Sequence, residues 1–222
     1  MPPVKLRWVT ISLVGKISPI VVGIAGGTAS GKSTLAHRLS RYYGDRCLLL
    51  SHDRYYLDVD DPSGHNYDHP SSLETSLCAE HVRALKSGCP VELPNYDFST
   101  HSRMNLADPV SSPEILIVEG ILVLSEPELR SLFDLSVFIY ADQAVRLERR
   151  IARDLAERGR DRAGVLAQFE STVRPMHDQF VEPSRTHASI QISGEGSIED
   201  ALATLVSAIE LRTRATLSSR AL

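Results

Sequence analysis

The segment Gly26 to Thr34 reads GGTASGKST, and Gly26, Gly31, Lys32 and Ser33 meet the pattern GxxxxGK[ST]. Glycines at this spacing let the backbone turn tightly and point successive N–H groups into one concavity. A helix starting at Lys32 adds its positive N-terminal end. The cradle Gly26, Gly27, Thr28, Ala29, Ser30, Gly31, Lys32, Ser33 and Thr34 therefore suits the phosphates of a nucleoside triphosphate. Lys32 brings a point charge to the β- and γ-phosphates, and Ser33 offers a hydroxyl to Mg²⁺.

Two carboxylates extend this chemistry. Asp53 follows one apolar run and Glu119 follows another. In open α/β sheets, ligands sit beyond the carboxyl ends of the strands, so both acids are expected to face the triphosphate. One suits Mg²⁺, directly or through water, and the other suits accepting a proton from an attacking hydroxyl. Each alone has a plain alternative as a solvated loop acid. Their coincidence beside a phosphate loop weakens that alternative.

Positioning such groups needs strands that end together. Ile20–Ala25, Cys47–Leu50, Ile115–Val118, Leu135–Tyr140 and Ile190–Ile192 are short apolar runs that read as buried parallel strands. Helical spacing appears over Lys32–Tyr43, from Leu73 to Leu85, over Asp142–Arg158, over Ala163–Met176 with Pro175 marking an end, and over Ile198–Ile209. Ser51–His69 reads as loop and Val91–Phe98 as an irregular or edge β segment. Strands alternating with helices predict an α/β fold, with a mostly parallel five-stranded sheet covered on both faces. Residues 20–222 read as one domain, behind a 1–19 extension.

The chain has 222 residues and a net charge of −4, which gives no general pull toward nucleic acid or an anionic membrane. Cys47, Cys78 and Cys89 lack paired or metal-binding spacing, so reduced thiols in a cytoplasmic protein are expected. Lys5 and Arg7 before the apolar stretch Trp8–Val14 weakly imitate a signal peptide, but Lys16 breaks the run. No run approaches the length of a membrane span. His65 and His69 lie four apart around Asp68 without an evident third ligand, so a loop is expected there rather than a metal site. The Arg-rich helix holds i,i+4 pairs such as Asp142/Arg146, Arg150/Asp154 and Asp154/Arg158, which could be ordinary surface pairs. Arg158 and Arg160 around Gly159 fit that account less well. They suit a phosphate, on a lid spanning about 155–180.

Seven segments in order resemble the uridine kinase (uridine-cytidine kinase) family of P-loop kinases. They are GGTASGKST, SHDRYY at 51–56, NYDHP at 66–70, PNYDFSTHSR at 94–103, IVEGIL at 117–122, RRIARDLAERGR at 149–160 and RPMHDQFVEP at 174–183. The resemblance implies a P-loop kinase fold with a small β-hairpin substrate element and a helical lid. It implies 5′-phosphorylation of uridine and cytidine by ATP or GTP with Mg²⁺, in a cytoplasmic homotetramer that binds neither nucleic acid nor membrane. Asp53 falls on the family's catalytic base, with Lys32 at the phosphates. Ser33, Glu119 and Asp53 fall on magnesium-associated positions. Asp68 matches the ribose-binding carboxylate, and Tyr96 and His101 match pyrimidine-recognising residues. Arg150, Arg153, Arg158, Arg160 and Gln168 match positions near the sugar and phosphates. The chain departs from its relatives at His52 and Arg54, at Tyr67, and over 187–197, a stretch that commonly lies by the donor's base.

Overall fold

All seven residues of Ile20–Gly26 (β1) are buried, and the strand carries no polar side chain. Its side chains alternate between two cores. Val21 and Ala25 enter one cluster, while Ile20, Val22 and Ile24 enter the other, as the two-residue period of a strand dictates. A strand buried on both faces must be central. The computed structural model, which describes residues 18–59, 61 and 64–218, places it so.

The remaining strands are β2 (Cys47–Ser51), β3 (Val91–Leu93), β4 (Tyr96–Asp97), β5 (Ser102–Arg103), β6 (Asp108–Val110), β7 (Ile115–Glu119), β8 (Leu135–Tyr140) and β9 (Ile190–Ser193). The helices are α1 (Lys32–Tyr43), α2 (Thr75–Lys86), α3 (Pro127–Arg130), α4 (Gln143–Glu157), α5 (Arg162–Gln168), α6 (Arg174–Met176), α7 (Glu182–Ser184) and α8 (Ile198–Ser218). Five strands form a sheet in the order β2-β7-β1-β8-β9, parallel throughout. The chain therefore has the α/β fold with a parallel five-stranded sheet that the spacing predicts. Leu35 and Leu39 of α1 and Leu205 and Ile209 of α8 cover one face. Cys78, Val82 and Leu85 of α2 and Leu129 of α3 cover the other.

Register brings the strand ends level. Ser51 pairs with Glu119 across β2 and β7, and Ile24 pairs with Glu119 across β1 and β7. Two antiparallel ribbons, β3–β6 and β4–β5, stand apart from the sheet. The expected irregular segment Val91–Phe98 thus divides into β3 and β4, with Pro94 between them.

Several boundaries move. The stretch Ser51–His69 contains a 3₁₀ turn, His52–Tyr55, capped by the Ser51 side chain. α8 runs on to Ser218 rather than stopping near Ile209. Pro175 ends no helix. α5, α6 and α7 are joined by π-helical turns, Phe169–Val173 and His177–Val181, and Pro175 and Pro183 sit at the start of α6 and α7. A wider turn before each proline removes the need for the N–H that proline lacks. The expectation for the extension falls mainly on residues 1–17, outside the described residues. Among the described residues, no helix is long and apolar enough to cross a membrane.

Candidate active site

The phosphate loop is built from β1 and the first turn of α1. Gly31 has φ 101°, a left-handed value that glycine adopts without steric cost, and Ala29 takes φ 58°. Ser30 N–H donates to the Gly27 carbonyl at 3.1 Å, and Leu35 N–H donates to Gly31 at 3.0 Å. Gly26, Gly27 and Ser30 lie buried under the loop. Two cavities open above it, one of about 380 Å³ and one of about 630 Å³, and both are lined by Lys32, Ser33 and Arg153. The P-loop lysine thus stands where they meet.

The smaller cavity runs from Ala29, Gly31 and Thr34 to Ser193 at the end of β9 and to Gly194 and Ser197 beyond it. Here the stretch 187–197 abuts the phosphate loop. Gly194 N–H donates to Tyr140 at 2.8 Å, and its carbonyl accepts from Arg149 Nη1 at 2.9 Å. A Cβ on Gly194 would lie 1.8 Å from the Ser30 carbonyl oxygen. Gly194→Ala is therefore expected to destabilise the fold by about 1–3 kcal/mol and to weaken donor nucleotide binding, because backbone must shift on both sides. Thermal melting with and without nucleotide reads both effects.

Beyond the phosphate loop, the larger cavity gathers residues from distant parts of the chain. Asp53 comes from the 3₁₀ turn after β2, Asp68 from the following loop, His101 from the β4–β5 hairpin, and Arg150, Arg158, Arg160 and Gln168 from α4, α5 and their junction. Asp53 N–H donates to Ser51 Oγ at 3.4 Å, and Ser51 Oγ donates to Glu119 Oε1 at 3.0 Å. The second Glu119 oxygen accepts from Ser33 Oγ at 3.2 Å. Glu119 is buried, and its carboxylate links the phosphate loop to the turn carrying Asp53. His52, at a position where a departure was noted, turns inward. It is buried, and its Nε2 lies 3.1 Å from Thr75 Oγ1. Burial pushes the imidazole down to about 4, so it is neutral near pH 7. Gly120 leaves it room, since a Cβ there would sit 2.6 Å from the His52 Cβ.

Asp53 is pushed up to about 6, first by burial and then by the neighbouring Glu119, with Lys32 and Arg158 pulling the other way. Asp68 is also raised, mainly by burial, with Arg150 opposing most strongly. Asp68 sits in a turn whose backbone N–H donates to Asn66 Oδ1 at 3.2 Å.

Aromatic rings form one wall. Tyr67 stacks on His101 with centroids 5.0 Å apart and planes at 29°. His101 itself has φ 54°, at the hairpin tip. Tyr96 is buried, its ring centroid 5.4 Å from that of Tyr56, and it does not line the cavity, whereas Tyr56 and Phe98 do. Tyr56 and Phe98 lie inside the segments SHDRYY and PNYDFSTHSR, but no site role is expected of either. Their aromatic character within those segments is the signal that could have marked them. His65 and His69 each pair with a serine hydroxyl, Ser72 and Ser71, at 2.9 and 2.7 Å. Among the described residues, no group of three or more His, Cys, Asp or Glu is arranged to hold a metal.

The arginines enter in an ordered set. Arg150 Nη1 donates to Thr28 Oγ1 at 3.1 Å and its Nη2 to Gln168 Oε1 at 2.9 Å. Arg160 Nη1 donates to the same Gln168 oxygen at 2.6 Å. Gly159, at φ 61°, turns the chain between Arg158 and Arg160.

Comparison with known proteins gives the family. The family model described as "Phosphoribulokinase / Uridine kinase family" matches residues 21–199. The chain belongs to that family. It is a kinase, and the family's nucleotide-phosphate chemistry is consistent with the phosphate loop. A protein named uridine kinase from Clostridium perfringens is 40% identical over 198 residues, covering 86% of this chain and 95% of that protein. One of the same name from Halobacterium salinarum is 42% identical over 181 residues, covering 79% and 80%. Among solved structures, D-glycerate 3-kinase from Cryptococcus neoformans superimposes with a TM-score of 0.60 at 20% identity, covering 76% of this chain and 80% of that one. Phosphoribulokinase from Rhodobacter spheroides gives 0.59 at 13% identity, covering 80% and 71%. These two likenesses concern the fold alone.

Proposed function

We propose that this kinase transfers the γ-phosphoryl group of ATP to the 5′-hydroxyl of uridine and cytidine, giving UMP and CMP. The observation that carries the reading is the meeting of two cavities at Lys32, one of them carrying Asp53, Asp68 and a ring slot together. The relatives named uridine kinase support the nucleoside as acceptor.

In this reading the donor lies along Gly26–Thr34 with its base toward Ser193–Ser197. The acceptor's pyrimidine occupies the slot beside Tyr67 and His101, with Tyr96 supporting it from behind. Asp68 accepts hydrogen bonds from the two ribose hydroxyls, a task suited to a carboxylate with two oxygens. Asp53 accepts the proton of the 5′-hydroxyl as the O5′–P bond forms and the bond from Pγ to the β,γ-bridging oxygen breaks. Lys32, with Arg150, Arg153, Arg158 and Arg160, neutralises charge that spreads over the phosphoryl oxygens, and Gln168 orients two of those arginines. The Ser33 hydroxyl donates to the Glu119 carboxylate at 3.2 Å, and these two oxygen groups, with Asp53, would hold Mg²⁺. When bound, the ion supplies charge neutralisation at the β- and γ-phosphates. Residues from about 155 to 180 act as a lid that excludes water, which otherwise competes with the nucleoside hydroxyl. A homotetramer in the cytoplasm belongs to the same proposal.

ADP release across uridine, cytidine, ribulose 5-phosphate and pantothenate, with ATP and GTP as donors, tests the reading. Comparable rates with uridine and cytidine are expected, because imidazole can donate or accept and so suits both the uracil O4 and the cytosine amino group. Activity on only one pyrimidine would remove this role from His101. Activity on neither would overturn the proposal.

A further inference from the structure

The side chain of Asp154 on α4 is completely buried, and four guanidinium groups surround it. Arg153 Nη2 lies 2.8 Å from Oδ1, Arg160 Nη1 3.4 Å from Oδ2, Arg150 Nε 3.6 Å from Oδ2 and Arg158 Nη1 3.7 Å from Oδ1. The Asp154 carbonyl oxygen accepts from the backbone N–H groups of Arg158 and Arg160, at 3.2 and 3.3 Å. Asp154 itself lines neither cavity, whereas all four arginines line the larger one. Four cations brought this close repel one another, and exposed arginines on a helix end would spread into solvent. One buried anion reverses that tendency and fixes where their free N–H groups point.

We propose that Asp154 is a positioning residue that gathers Arg150, Arg153, Arg158 and Arg160 into a preformed cationic cap over the transfer site. The inference rests on the phosphoryl-transfer reading above. Asp154 touches neither donor nor acceptor, and its effect reaches them through the arginines. Two features separate this role from an ordinary ion pair on a helix surface. The carboxylate is buried while Arg153, Arg158 and Arg160 keep part of their surface open to the cavity. Moreover, Arg160 lies beyond α4 and past the left-handed Gly159, so helical geometry alone does not orient it.

The test is Asp154→Asn, which keeps shape and removes charge. Turnover is counted per donor-binding site titrated by calorimetry, so that misfolded protein does not enter the rate. A fall in kcat of about 100-fold is expected, with donor and acceptor KM within about threefold, because cationic groups of this kind act chiefly on transition-state charge. A kcat per site within threefold of the parent overturns the proposal. Removing a buried anion among four cations can prevent folding. In that event Asp154→Asn is combined with Arg158→Gln, which restores the local charge, and compared with Arg158→Gln alone. A further fall of about tenfold is then expected, and a value within threefold overturns the proposal. If the parent proves inactive with uridine, the functional reading fails separately. The same variants are then compared by ATP hydrolysis without acceptor, which depends on the same arginines.

Discussion

Asp53→Asn is expected to cut kcat by about 100-fold or more while leaving the donor dissociation constant within about threefold. The amide keeps the size of the carboxylate but cannot take the proton of the acceptor hydroxyl. Near-parental turnover would remove Asp53 from that role. Burial and Glu119 together hold the Asp53 carboxyl near 6, so the parent's kcat/KM should fall as pH drops through about 6, and the variant should lose that limb. The same shift has a stability consequence. A carboxyl raised from 3.8 to about 6 binds its proton more tightly folded than unfolded. Stability therefore declines as pH rises from about 4 to 6, and above that range the ionised form costs on the order of 1–3 kcal/mol, given that the group still faces a cavity. Asp53→Asn should accordingly melt higher than the parent at pH 8 and show no gain at pH 4. Equal melting curves at both values would show that the carboxylate is not destabilised.

Lys32→Ala should have the larger effect on catalysis. Lys32 lines both cavities, so its ammonium can follow the phosphoryl group from donor to acceptor. Loss of one such preorganised charge is expected to lower kcat/KM by about 10³-fold. The donor dissociation constant should rise only about tenfold, because most of the interaction is made in the transition state. The side chain is part-exposed, so the melting temperature should hardly move. Calorimetry and steady-state rates on one preparation separate the effects. A donor affinity that falls as far as kcat/KM would make Lys32 a binding group only.

The two variants probe residues that differ in how they could be found. Lys32 sits inside a contiguous motif whose spacing dictates its geometry. Asp53 has no spacing pattern that dictates its geometry, only its place just beyond an apolar strand and its segment SHDRYY, which resembles the family's. That place sufficed because β2, β7 and β1 run parallel and end level, so a residue after one strand meets residues after the next. Glu119 was legible for the same reason.

The arginines are a different case. The i,i+4 spacing of Arg150, Asp154 and Arg158 suits a solvated helix surface equally well, and only burial distinguishes the two. Asp154 is buried where α5 packs on α4 and four arginines close over the carboxylate, and no local pattern announces that. Pro175 is the related failure, since a proline normally ends a helix and here a π-turn absorbs it. The ring slot is similar. Tyr96 and Phe98 lie two apart on one ribbon, yet Tyr96 packs inward against Tyr56 and Phe98 stays more than half exposed.

The sequence by itself determined the phosphate cradle, the five strands of the sheet with the helices α1, α2, α4 and α8, and the two acids that follow strands, because each rests on local spacing and on the periodicity of apolar residues. Tertiary structure alone decided which arginine-helix residues are buried, which aromatic rings face the cavity, and how closely Gly194 approaches the phosphate loop. Those depend on contacts between segments far apart in the chain, where packing and desolvation, rather than residue type, set the outcome.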